Sequence, residues 1–458
     1  MKTSGLFSLV AVALGLVLLM ASVAIGSGEI PSAEVSDLAY ETVNGRFLHV
    51  YEDLGDIFGQ FYSNQGSYVG SPFVISDNPA FQYAPQAAYA TTHQMFLVVW
   101  DDGRGGGDDI YGQFVTAAGD LHDTASSTNF PICVAASQQQ SPEVDYDPVT
   151  DRFLVAWADR RINSSAPDIY GQFVTTSDPG YLFSTISTQN FPIAADSRYG
   201  QHSPAVGYDS AYKLFLVAFM DYRDADNNIY GQFVDAADMS DFLYSTALGT
   251  NFPIGTTPYD KANPSLAYDS DNGRHLVVWD QNFNELEWDI AGQIVDASSS
   301  SGFLYSTGKD QNITISDNLV NWQNGPRAAY HPDSGYFLTA WTDYRGFGGD
   351  VYGQALAAGG TLIETDSINN YPLVTSGTVV YTDPVGAAIP GSDKVIVVYK
   401  VDDTYWEAAV YDPTPDTGGG GGGCNTSGPA PGEPIWPEIL WIALLGWVFI
   451  LMRRRVKG

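Results

Sequence analysis

DDIYGQFV, residues 108 to 115, sets a glycine and a glutamine inside what reads as a β-strand. The same words return as PDIYGQFV at 167 to 174 and NNIYGQFV at 227 to 234. Looser copies, DIFGQF at Asp56, DIAGQIV at Asp289 and DVYGQAL at Asp350, extend the series at a spacing of about 60 residues. YWEAAVYD, ending at Asp412, reads as a decayed seventh.

Working outward, each copy follows an apolar run. These are FLHVY at Phe47, FLVVW at Phe96, FLVAW at Phe153, FLVAF at Phe215, HLVVW at His275, FLTAW at Phe337 and VIVVY at Val395. None alternates apolar with polar residues, so both faces of the strand are buried. A further strand precedes the run, as in PEVDYD at Pro142, PAVGYD at Pro204 and PSLAYD at Pro264. A fourth, shorter phrase follows: NFPIC at Asn129, NFPIA at Asn190, NFPIG at Asn251 and NYPLV at Asn370.

Four strands per unit, repeated seven times, predict an all-β, seven-bladed β-propeller of four-stranded antiparallel blades over residues 27–412. Blades stack face to face, which buries the middle strands on both sides. The seventh unit lacks its NFPI-like phrase, and an unclosed ring leaves an aggregation-prone edge. The segment EIPSAEV, Glu29 to Val35, is expected to supply the missing strand.

Within DIYGQFV, Ile110, Gly112 and Phe114 share one face, and Tyr111, Gln113 and Val115 the other. Gly112 and its counterparts Gly171, Gly231 and Gly353 imply close approach of something bulky. An aromatic of a neighbouring strand or blade, such as Trp100, Trp157 or Trp341, is the expected intruder. Gln113 is expected to satisfy a backbone group between sheets. The phrase recurs because each blade solves the same packing problem.

The ends read as addresses. Residues 1–26 join a lysine, a long apolar run and small residues, the pattern of a secretory signal peptide. Residues 413–438 form a Gly/Pro-rich linker containing Cys424, and 439–458 an apolar segment closed by Arg453, Arg454 and Arg455. Its run from Ile439 to Met452 spans about 21 Å as a helix, short against a bilayer core of about 30 Å. The arginines hold this end in the cytoplasm. The net charge of −33 excludes nucleic acid as a partner, because a polyanion is repelled. Two cysteines, Cys133 and Cys424, rule out a disulfide scaffold.

A second recurring element pairs Asp102 with Arg104, Asp159 with Arg161, Asp221 with Arg223 and Asp343 with Arg345. The preferred reading is a turn lock, the arginine bidentate to the carboxylate. The competing reading is calcium, with Asp102, Asp109, Asp221 and Asp226 as ligands, although the arginine in each loop opposes a cation. No cofactor is required. Residues repeated in every blade are scaffold, so function belongs where units differ. Blade five is the deviant: it replaces Asp-x-Arg with Gln281 and Asn282 and adds Glu285, Glu287 and Trp288. Nearby stand Trp322, Arg327 and His331. Glu285 and Glu287 are the catalytic candidates, two carboxylates two residues apart; Trp288, Trp322, Arg327 and His331 are the ligand-binding ones.

The tail, with its glycine run Gly418 to Gly423, Cys424, apolar helix and arginine cluster, resembles the C-terminal sorting signals of bacterial surface proteins. That resemblance implies cutting or lipidation near Cys424 and a rhomboid-like processing protease. The longer, proline-rich spacer keeps a plain membrane tether as the competing reading. The repeat region resembles secreted and surface β-propeller repeat proteins of bacteria and archaea that carry DIYGQ-type units. This implies an exported, cell-surface, envelope-anchored module, and since propellers host both binders and enzymes, non-enzymatic binding, adhesion or a structural role toward a protein or glycan ligand is the first reading. The alternative is an extracellular carbohydrate-active enzyme, a sialidase-like hydrolase or a lyase, with an axial active site. YDSDNGRHLVVW at Tyr268 loosely resembles the Asp-box turn of sialidases, but the other copies lack its acid and glycine together. An enzyme should gather unlike acids, Tyr or Arg in one axial pocket. A binder should present a rim of Tyr, Trp and Asn.

Overall fold

A computed structural model describes residues 36–411, except 123–128, 177–180, 184–189, 196–197, 225, 239–240, 245–250, 283–286, 300–301, 306–310, 318–320, 347 and 364–369. Over these residues the chain forms seven antiparallel sheets, each an up-and-down meander in sequence order. Blade one comprises Asp37–Glu41, Arg46–Asp53, Asp56–Ser63 and Tyr68–Ser76. Blade two comprises Gln82–Ala90, Met95–Asp102, Asp109–Thr116 and Phe130–Cys133. Blades three to six repeat the order, and in blades three and four the outer position is shared by two short strands. Blade seven comprises Tyr381–Ala388, Val395–Val401 and Tyr405–Tyr411.

The first strand of every unit is the innermost. These seven strands pack against one another in order, and the last against the first. The ring is thus closed by blade seven stacking on blade one: Leu38, Phe47 and Tyr62 share a core with Val398, Trp406 and Val410. Tyr68 Oη also donates to the carbonyl of Trp406 at 2.5 Å. The segment expected to complete blade seven, residues 29–35, lies outside the described residues, as do the leader, the linker with Cys424 and the C-terminal segment. Among the described residues no helix is long and apolar enough to cross a membrane.

The repeated phrase has an atomic explanation. Ile110 and Phe114 are fully buried in the blade interfaces. A Cβ on Gly112 would stand 3.0 Å from Ile132 and 3.2 Å from Phe130; on Gly171 it would stand 2.8 Å from Ile193. The intruders are therefore the NFPI residues of the same blade, not Trp100, Trp157 or Trp341. The register gives the reason: Trp100 lies opposite Tyr111, whereas Gly112 lies opposite Val99, so tryptophan and glycine occupy opposite faces of the sheet. Trp157 instead packs against Ile132 and Cys133 of the preceding blade.

Gln113 Nε2 donates to the carbonyls of Phe114 and His122, and its Oε1 accepts from Asn129 Nδ2. Asn129 also donates to the carbonyl of Ile75 in blade one. Asn190, Asn251 and Asn370 reach Ile132, Ile193 and Ile315 of their preceding blades in the same way. The asparagine of the NFPI phrase is thus an inter-blade staple.

Candidate functional site

The Asp-x-Arg pairs sit at the blade rim. Asp102 is fully buried; its Oδ1 accepts from Arg104 N and Nε and its Oδ2 from Arg104 Nη2 and Trp100 Nε1. Asp159–Arg161 and Asp343–Arg345 repeat this geometry, and Arg223 bonds Asp221 through N and Nη2. Each guanidinium stacks on the tyrosine of its DIYGQ phrase, Arg104 over Tyr111 at 4.0 Å and Arg161 over Tyr170 at 4.2 Å. In blade five Gln281 Oε1 accepts from Trp279 Nε1 and Asn312 Nδ2, which rebuilds the lock with a neutral residue. The carboxylates of Asp102 and Asp221 therefore face an arginine. Asp109, pushed up to about 6 by burial and then by Asp102 and Asp108, holds its charge reluctantly. Asp226 is exposed. Among the described residues no cluster of three metal-ligating side chains occurs.

Glu285 lies outside the described residues. Glu287 and Trp288 are half-buried at the start of the third strand of blade five, away from the axis. Trp322 is half-buried in the turn before blade six, its carbonyl accepting from Tyr344 N. His331 is buried, and its Nδ1 accepts from Ser334 N. Asp147, Asp209 and Asp269, at the matching place in other blades, cap the same turn through a carboxylate. His331 is thus a turn cap. Of the described candidates, Arg327 alone lines the axial cavity.

That cavity holds about 360 Å³ and is lined by all seven inner strands. Inner-strand residues paired with Val50, Val99, Ala156, Ala218, Val278, Ala340 and Val398 form a register-equivalent ring around it. The ring reads Asp37, Gln86, Glu143, Ala205, Ser265, Arg327 and Val385. No two of the seven are alike. The residues two places on are Ala39, Ala88, Asp145, Gly207, Ala267, Ala329 and Ala387, small except for Asp145. Small residues there keep the lumen open.

Several of these groups hold the ring together. Asp37 accepts from Leu38 N at 2.8 Å and, across the blade boundary, from Ala87 N at 3.0 Å. Ser265 Oγ accepts from Ala328 N of the next blade at 3.3 Å. Asp145 accepts from Tyr146 N and from Tyr208 N of the next blade, both at 2.7 Å. The backbone donors arise because an innermost strand has a free edge, and these side chains satisfy it.

Three ring members do otherwise. Gln86 is 4 % exposed and its Nε2 has no hydrogen-bond partner. Glu143 and Arg327 make no hydrogen bond or ion pair among the described residues. Burial raises Glu143 to about 8, Arg327 opposing and Asp37 reinforcing, so it holds its proton at neutral pH. Burial likewise raises Asp145 to about 6 and Asp280 to about 8, the latter against a hydrogen bond from Asn263 and the charge of Arg327. Sequence reasoning missed Asp37, Gln86, Glu143 and Asp145. The variable column through PEVDYD, PAVGYD and PSLAYD was the signal.

On the face carrying the loops after the second strands, Phe81 stacks with Tyr83 at 6.0 Å, and Tyr222 and Tyr259 are exposed. Gly103 N bonds the carbonyl of Phe81, Tyr222 N that of Gly200, and Lys261 N that of Asn227, which places these loops on one face.

The fold and its axial ring define a class, the seven-bladed β-propellers. No protein-family model matches the chain, and no curated protein matches it either. Among solved structures, the chain is similar to TolB from Acinetobacter baumannii at 13 % identity, covering 78 % of this chain and 67 % of that one, TM-score 0.38. It is similar to Hadza microbial sialidase Hz136 at 10 % identity, 82 % and 65 % covered, TM-score 0.42. A third similarity is to a prolyl endopeptidase at 11 % identity, 83 % of this chain but 47 % of that one, TM-score 0.46. These likenesses concern the fold alone.

Proposed function

We propose that this chain is an exported propeller, held at the cell envelope by its C-terminal segment, that binds a glycan or protein ligand without transforming it. The axial cavity is its recognition site and the Phe81–Tyr83 rim a flanking surface. The observation that carries the reading is the axial ring: scaffold positions recur from blade to blade, while Asp37, Gln86, Glu143, Ala205, Ser265, Arg327 and Val385 all differ. Divergence at one register position in every unit, beside scaffold positions that recur, supports a lumen shaped for a ligand.

The second reading, a carbohydrate-active enzyme, is favoured by the unlike acids Asp37, Glu143 and Asp145 gathered with Arg327 in one axial cavity, Glu143 being in its acid form. Glycosidases use a second, free carboxylate. The other carboxylates lining the cavity, Asp37 and Asp145, each already accept two backbone N–H groups. Binding is therefore the stronger reading. A glycan array probed with the full-length chain tests it. Retention of specific glycans with no new reducing ends on prolonged incubation is the expected result; release of sugar would replace binding with catalysis.

A further inference from the structure

The chemistry of the ligand can be read from the axial ring, on the proposed reading that the cavity is a ligand site. Two of its polar members, Asp37 and Ser265, are occupied as staples between blades. The other three, Gln86 through its Nε2, Glu143 and Arg327, come from blades two, three and six and make no side-chain hydrogen bond among the described residues. Leaving a buried amide donor such as Gln86 Nε2 unpaired costs about 1–3 kcal/mol, a cost that a ligand removes on arrival.

All three are donors. Arg327 offers a planar fork of N–H groups, Gln86 an amide, and Glu143 a carboxyl O–H. The acceptors of the lining, Asp37 and Asp145, already hold backbone donors. A guanidinium that shares one cavity with two further unfilled donors, contributed by other blades, matches a group with two oxygens and several lone pairs in one plane. The volume, 360 Å³, stands at the low end for small-molecule sites, so the ligand is compact. Leu38, Leu266 and Val385 supply apolar wall for a carbon skeleton.

We propose that the axial cavity binds a compact carboxylate, an acidic monosaccharide of the uronic acid class, with Arg327 gripping the carboxylate in a bidentate pair and Gln86 and Glu143 donating to its oxygens. Asp37 and Asp145 border the same space and set the orientation, since a carboxylate placed against them is repelled.

Calorimetric titration of the full-length chain with D-galacturonate and D-glucuronate, against D-galactose and D-glucose, tests this. At least one uronate is expected to bind at least about tenfold tighter than its neutral counterpart, a difference of about 1.4 kcal/mol. Arg327→Met abolishes that preference, Gln86→Leu weakens it, and Glu143→Gln, which keeps a donor, retains it. The Arg327 side chain makes no hydrogen bond among the described residues, but its charge favours the ionised forms of the buried Asp37, Glu143 and Asp280. The melting temperature of Arg327→Met is therefore read beside the titration, and some loss is expected. Should it fail to fold, Gln86→Leu carries the test. Equal binding of uronate and neutral sugar, unaffected by both substitutions, overturns the carboxylate assignment while the glycan-binding reading stands. No heat with either uronate overturns it as well, and the array then decides the broader reading separately.

Discussion

Glu143→Gln makes the sharpest test of the cavity's electrostatics. Burial raises the Glu143 carboxyl from an ordinary 4.5 to about 8. Between those values the folded chain binds more protons at this site than the unfolded chain. The stabilising protonated form is fully present below pH 4.5, and its contribution is lost as pH rises to 8. At about 1.4 kcal/mol per decade of proton concentration, the full span corresponds to at most about 5 kcal/mol. Glu143 keeps part of its surface toward the lumen, and water there screens the effect to on the order of 2 kcal/mol. Glutamine has the same shape and no charge, so the variant escapes this loss. Urea or thermal unfolding of both proteins at pH 4.5 and at pH 8.5 should give nearly equal stabilities in acid, and a variant ahead by about 2 kcal/mol in base. Asp145 and Asp280 titrate upward too, but they do so in both proteins and cancel in the difference. A gap that stays constant with pH would refute the burial of Glu143 in the axial lumen.

Other outcomes follow from the scaffold. Gly171→Ala pushes a Cβ to 2.8 Å from Ile193 and should cost about 1–3 kcal/mol in denaturant unfolding; a neutral result would mean that the NFPI strand sits farther away. Asp159→Ala takes from Arg161 its carboxylate partner and leaves the indole N–H of the buried Trp157 without its acceptor. It should lower stability by about 3 kcal/mol, with a loss under 1 kcal/mol pointing to solvent-held arginines. Trp406→Ala removes a ring packed on His49 at 4.6 Å across the seam between blades seven and one. The expected cost of about 3–5 kcal/mol, with early loss of hydrogen-exchange protection in both blades, would be absent from an open array.

The scaffold was legible because every blade meets a neighbour like itself, so the same contacts demand the same letters. Tyr under Arg, Gly beneath Phe and Ile, and Gln beside Asn recur for that reason. The axial ring was not legible from words, because its positions carry no repeat. It emerges only when the ladder register aligns Asp37 with Glu143 and Arg327. Blade five drew attention through its missing Asp-x-Arg, yet Gln281 rebuilds the same lock. His331 looked like a ligand residue because it interrupts a run of aspartates, whereas a ring nitrogen accepts the turn N–H as a carboxylate does. Trp100 was misplaced against Gly112 because composition cannot say which of two adjacent residues lies opposite a glycine.

A crystal structure of the full-length chain grown with D-galacturonate addresses the axial site most directly. Seven sheets closing around a lumen, with the sugar's carboxylate against Arg327 and in reach of Gln86 and Glu143, is the predicted result. An empty lumen, with sugar seated only on the rim by Phe81 and Tyr83, would contradict it.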